Sequence, residues 1–174
     1  MMDDYRTSKF TNFVDYCNKN LTGKKLREMK FSSEKDISDK FYNLEPPHGS
    51  HGNWMIHIDV IYFQYNKKIY QLGFQYQNET CKINCSRPGK DYNTSTPDEI
   101  HDFIDFFVKY SPNDYRVNPP KTRAYVSMCK KHKTIGSLPD EEFAKELYLK
   151  FLDALKIIEI LKKAFIEFGC QFYN

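Results

Sequence analysis

Residues 54–77 alternate apolar and polar positions so regularly that a β-hairpin is the local structure that suits them. In the first half the even positions Trp54, Ile56, Ile58, Val60 and Tyr62 are apolar, and in the second half so are Tyr70, Leu72, Phe74 and Tyr76. Strand side chains point to opposite faces with period two, so each run carries one apolar face. Matching those faces sets Tyr62 opposite Leu72, Val60 opposite Phe74 and Ile58 opposite Tyr76. It leaves Asn66, Lys67 and Lys68 as a three-residue loop. A slip of one residue would turn Ile58 and Val60 onto the face of Gly73 and Gln75, which disfavours it.

Helical spacing appears on either side. Phe10, Phe13, Val14, Cys17 and Leu21 form one amphipathic stripe, with Thr7 or Ser8 as cap and Gly23 closing it. Residues 33–44 read as a second helix, with Ile37, Phe41 and Leu44 on one side, and the Pro- and Gly-bearing residues 45–52 read as an exposed loop. Residues 80–86 suit a third strand near an edge. Thr96-Pro97-Asp98-Glu99 has the pattern of a capped helix start, followed by the stripe Ile100, Phe103, Ile104, Phe107 and Val108. Residues 113–120 read as loop. In residues 122–129, Ala124, Val126 and Met128 alternate with Tyr125, Ser127 and Cys129, a fourth strand.

The last element is the longest. Pro139 and three acids open it, where a helix dipole favours negative charge, and apolar positions from Phe143 to Phe168 keep helical spacing until Gly169. Its apolar arc is wider than one small sheet requires. The helix therefore packs on both the sheet and the N-terminal helices, or leaves part of its face to a partner. The expected order is α-α-β-β-β-α-β-α: a single α+β domain over residues 1–174, a mainly antiparallel three- to four-stranded sheet covered by helices.

At 174 residues such a domain buries a core without disulfides. The abundance of Phe, Tyr, Asn and Lys follows AT-rich codons and carries no functional signal. A net charge of +3 is too mild to mark a strong nucleic-acid binder by itself. No apolar stretch reaches the roughly 18 residues of a membrane span, and the acidic N-terminus lacks an apolar leader. Five scattered cysteines suit reduced thiols, so a cytoplasmic location without membrane association is expected.

Four constellations bear on chemistry. On the hairpin's second face the same register sets Asp59 opposite Gln75 and His57 opposite Gln77, gathering a carboxylate, an imidazole and two amides, with Gly73 leaving the backbone approachable. The ordinary state of such a face is solvated. Cys81, Cys85, Cys129 and His132 could supply four zinc ligands, and His48 and His51 two more. However, Cys81 and Cys85 share a strand parity at about 13 Å, which does not make a zinc knuckle. Lys24, Lys25, Arg27 and Lys30, then Arg87 and Lys90, then Lys130, Lys131 and Lys133 form three basic groups that could follow a nucleic-acid backbone. On the last helix and beyond it, Tyr148, Leu152, Ile160 and Phe172 are candidate contacts for a partner protein or a second copy.

The order α-β-β-β-α-β, with Asp59 on one strand and Gln75-Tyr76-Gln77 on the next, resembles the PD-(D/E)XK nucleases. In that family an acid and an acid-x-Lys triplet hold a divalent metal. Here Gln75 replaces the acid and Gln77 the lysine, so the resemblance implies a decayed scaffold that retains nucleic-acid binding. With no phosphate-binding loop, nucleophile motif or cofactor motif present, no cofactor is expected. The leading expectation is a non-catalytic protein-binding module of the accessory, adaptor or inhibitor type. Nucleic-acid binding comes second, and a metal-dependent hydrolase using Asp59 and His57 third.

Overall fold

The central hairpin forms, but with a shifted register. In a computed structural model that describes residues 4–29, 37, 40–48 and 55–173, Met55–Tyr65 (β3) pairs antiparallel with Lys68–Gln77 (β4). The loop is two residues long, not three: Asn66 and Lys67 both take left-handed backbone, φ 50° and 63°. Paired positive φ values match the right-handed twist of the flanking strands, which favours this tight turn. The expected pairs give way to Tyr62–Gln71, Ile61–Leu72 and Ile58–Phe74, and the ladder shifts between Asp59 and Ile61. Val60 is the extra residue of a β-bulge. Ile56 and Ile58 face the helices as expected. Past the bulge parity reverses: Phe63 takes the helix side, and Tyr62 turns to the opposite face. Trp54 lies outside the described residues.

Among the described residues the sheet has eight strands where three or four were expected. The remaining ones are Lys25–Glu28 (β1), Phe41–His48 (β2), Thr80–Ser86 (β5), Arg116–Asn118 (β6), Tyr125–Lys131 (β7) and Gln171–Phe172 (β8). The order is β1-β2-β3-β4-β5-β7-β6, with β8 added to β3 beyond the end of β2, and only β1–β2 is parallel. A second two-residue turn, Asn78-Glu79, joins β4 to β5 with φ 51° and 63°.

Residues 41–44, expected to be helical, begin β2. Their i, i+3 pair Phe41 and Leu44 imitates a helix stripe. Tyr42 and Leu44 instead alternate onto the core while Asn43 turns away, and Tyr42 meets the Phe151 ring edge-on at 5.6 Å. The prolines of the expected loop sit inside β2, where the register shifts between Glu45 and His48 and the ladder needs no donor from them. β1, β6 and β8 are two to four residues long, too short to leave a period in the sequence.

Asp4–Asn20 (α1) and Asp140–Phe168 (α4) lie on one side of the sheet. Between β5 and β6 run the single turn Asp91–Thr94 (α2), a 3-10 segment over Pro97–Phe103 and Ile104–Tyr110 (α3). The Thr96 side chain makes no cap bond. Glu99 instead receives Lys68 Nζ at 2.9 Å and lies 3.6 Å from Arg87, so tertiary ion pairing replaces the local capping box.

α4 is 29 residues, about 43 Å. Its rings Phe143, Phe151 and Phe165 pack on Tyr76, Phe74 and Phe63 at 5.4–5.6 Å. Each such buried side chain stabilises the fold by roughly 2–3 kcal/mol. α1 covers a further side of α4, with Tyr16 edge-on to Tyr148 at 5.2 Å. The wide apolar arc is thus used by both sheet and helix. Gly169, φ 114°, ends α4, and Cys170 N donates back to Phe165 O. No helix among the described residues is long and apolar enough to cross a membrane.

Candidate functional site: the polar face of the sheet

Opposite the helices, the pairing aligns polar residues in rows across the strands. One row is Arg27–Asn43–Asp59–Gly73–Asn84–Ser127–Asn118, from β1 to β6. The next is Glu45–His57–Gln75–Lys82–Cys129–Arg116, and beyond the bulge comes Tyr62–Gln71–Ser86–Tyr125. Asp59 thus lies opposite Gly73 and His57 opposite Gln75, correcting the expected Asp59–Gln75 and His57–Gln77 pairs. The cluster itself does form.

The face is not the solvated surface such faces ordinarily are. Asn43, His57, Asp59, Gln71, Gln75, Asn84, Ser86 and Ser127 are all buried. Buried polar groups are ordinarily paired, and most of these are, although Gln71 Oε1 and Ser127 Oγ have no partner among the described residues. Arg27 Nη2 donates to Asn43 Oδ1 (2.9 Å), Asn43 Nδ2 to Tyr62 Oη (2.7 Å), and Tyr62 Oη to Asp59 Oδ2 (2.8 Å). His57 Nε2 donates to Asp59 Oδ1 at 2.8 Å. A cation on the edge strand is thereby linked to a buried carboxylate through two neutral groups. The bulge makes this possible: without the parity change, Tyr62 could not share a face with Asp59, three residues before it. A second net joins Gln71 Nε2 to Asn84 Oδ1 (2.7 Å) and Ser86 Oγ (2.9 Å), and Tyr125 Oη to Gln75 Oε1 (3.3 Å).

Burial would push the His57 imidazole below its ordinary value, but the bond and charge of Asp59, with Glu45 nearby, outweigh it and raise it. Burial raises the Tyr125 phenol, which stays protonated and able to donate.

The face opens on a cavity of about 390 Å³ between Glu45, Met55 and His57 on one side and Lys82, Tyr92 and Tyr125 on the other. Residues 87–92 wall it, and Tyr92 meets Tyr125 edge-on at 6.4 Å. A wider hollow of about 600 Å³ beside the start of α4 is ringed by the charged side chains Lys133, Glu142, Lys145, Glu146 and Lys150, with the buried Nε2 of His132 also in its lining. The polar-face cavity differs in being lined by several buried polar side chains, His57, Asp59, Gln75 and Ser86.

The chain matches no family model, no curated protein and no solved structure. The α-β-β-β-α-β order of the nuclease resemblance is not found among the described residues, because five strands, β1 to β5, precede the helical segment and residues 41–44 are strand.

The other candidates are dispersed. Cys81 and Cys85 face the helices, where burial raises the Cys81 thiol to about 12 and Cys85 well above its ordinary value; Cys129 opposes Lys82 on the polar face. The sheet thus separates Cys129 from the other two thiols, and His132 follows the end of β7. No group of three or more His, Cys, Asp or Glu that could hold a metal ion occurs among the described residues. His51 and the His48 side chain lie outside the description.

Of the basic groups, Lys25 donates to the Asn18 and Leu21 carbonyls at the end of α1 and Lys24 lies over the Tyr42 ring. Arg27 serves the polar network, Arg87 is bound to Ile69 O and Asp91, and Lys130 is paired with Asp114. Lys90, Lys131 and Lys133 are exposed, and Lys30 lies outside the described residues. The β1 group and the β7 group are five strand spacings apart, about 24 Å. On the last helix, Tyr148 and Leu152 are half-buried and Ile160 is exposed, while Phe172 is stacked on Phe63 at 4.9 Å.

Sequence reasoning found His57, Asp59 and Gln75 but missed Asn43, Tyr62, Asn84, Ser86 and Lys82. The parity of residues 80–86 does carry the last three: Cys81, Ile83 and Cys85 alternate with Lys82, Asn84 and Ser86.

Proposed function

We propose that the chain is a non-catalytic binding module whose ligand is a small molecule held in the cavity of the polar sheet face. One observation carries this reading: His57, Asp59, Gln75 and Ser86, buried members of a hydrogen-bonded polar layer that runs across six strands, line a cavity of about 390 Å³. Polar groups are costly to remove from water. Fixing them around a cavity is the ordinary design of a ligand site, which combines a few aimed polar groups with aromatic walls. A catalytic role is less well supported. Both oxygens of Asp59 are occupied by His57 and Tyr62, so this carboxylate is not placed to attack or to hold a metal.

The test is a screen of neutral, anionic and cationic small molecules followed by amide NMR. Binding should move the signals of Lys82, Ser86 and Tyr125. A screen in which no compound of any charge moves them would refute the reading.

A second reading, contact with a protein partner or with another copy of the chain, is favoured by Ile160, Ile166 and Phe168. These stay 44–49% exposed on the last nine residues of α4. Light scattering over a range of concentrations checks self-association. It should give a dimer that Ile160→Glu dissociates, and a monomer throughout would remove that form of the reading.

A further inference from the structure

At the Lys82 end of the cavity, away from Glu45, the hydrogen-bonding capacity left over is mostly donor. Asp59 accepts with both oxygens, Gln75 Oε1 accepts from Tyr125 and Gln77 Oε1 from Gln75. Glu45, at the far end of the His57 row, faces His57 and acts on its charge. On the donor side, Ser86 Oγ accepts from Gln71 and its hydroxyl proton has no acceptor among the described residues. Lys82 lines the cavity, half-buried, with no hydrogen bond or ion pair among the described residues. Arg87, also in the wall, is already neutralised by Asp91 and Glu99. Lys82 is separated from Glu45 by three strand spacings, about 14 Å. Above this charged end stand the rings of Tyr92 and Tyr125.

We infer that the ligand of this cavity is a small planar organic anion, its charged group on Lys82 with Ser86 donating beside it and its ring against Tyr92 and Tyr125. This rests on the cavity reading above and adds the ligand's class. A half-buried lysine with no ion pair among the described residues favours a carboxylate or phosphate arriving with the ligand. Aromatic edges and faces favour a flat unsaturated body over an aliphatic one.

The experiment titrates benzoate against benzamide, adenosine 5′-monophosphate against adenosine, and benzylamine as the cationic control, reading amide shifts at low salt and neutral pH. At least one anion should bind about tenfold more tightly than its neutral counterpart, and the carboxylate and phosphate arms say which group fits. Lys82→Met should remove that advantage and Lys82→Arg should keep it, with thermal melts confirming that both variants fold. If Lys82→Met does not fold, Lys82→Gln replaces it. Equal binding of neutral or cationic probes at Lys82, Ser86 and Tyr125, or an unchanged anion preference in the variant, would overturn the anion assignment while leaving the cavity as a site. Absence of binding by every probe would overturn both.

Discussion

Gly73 occupies the one place in the central polar row where a side chain does not fit. A Cβ there would stand 2.3 Å from Gln71 Oε1 and 2.5 Å from the Ile58 carbonyl oxygen, and the second of these is backbone in the neighbouring strand. Gly73→Ala must therefore displace the bulge as well as the amide. We expect it to lose about 2–3 kcal/mol, measured by urea denaturation. His57 makes a second prediction. Its folded value is raised above the ordinary 6.5, so the stability gained from the protonated imidazole on Asp59 is fully present below about pH 6.5. It is lost as pH rises through the raised value. The stability difference between the wild type and His57→Gln should shrink as pH rises across that window, and the His57 ring signal in NMR should titrate there. A flat difference would contradict the pairing.

Individual elements are held by a few unusual local choices. Both hairpin turns place a non-glycine residue second in left-handed backbone, Lys67 at φ 63° and Glu79 at φ 63°. Such a conformation costs an L residue roughly 1 kcal/mol, and glycine nearly nothing. Lys67→Gly and Glu79→Gly should each raise stability by about 0.5–1 kcal/mol in chemical denaturation, unlike most substitutions to glycine. At the junction of α1 and α4, Lys9 is fully buried, donates to the Leu138 carbonyl, and lies 4.7 Å over the Phe143 ring with Asp140 3.8 Å away. Lys9→Ala leaves that carbonyl unpaired and empties the space of the stem, at a cost of about 2–3 kcal/mol. Lys9→Met keeps the stem and should cost about half as much, since Asp140 can turn to water.

At the scale of the whole molecule, the sheet divides two chemistries, with aromatic packing on α1 and α4 on one side and a hydrogen-bonded polar floor on the other. The C-terminal residues close the first side. Cys170 is buried, β8 pairs with Phe63 and Gln64, and Phe172 stacks on Phe63. Removing residues 170–174 should cost about 3 kcal/mol, and hydrogen exchange should show the last turns of α4 fraying first. Much of the apolar side was legible in sequence, because core stripes repeat: Phe143 to Phe165 every three or four residues in α4, and Tyr70 to Tyr76 every second residue in β4. The polar side was legible strand by strand, as His57 with Asp59 and Lys82 with Asn84. Which strands are neighbours was not.

Local periodicity by itself determined the mixed helix and strand character, the central hairpin and the long terminal helix, because those patterns depend on residues a few positions apart. Only the tertiary structure decided the bulge at Val60, the adjacency of β5 with β7, the three short strands and the burial of the polar face. Each of these is a choice between nearly equal local alternatives, settled by hydrogen bonds between residues such as Arg27 and Asn43, or Asn84 and Tyr125, that lie tens of positions apart or on strands too short to show a period.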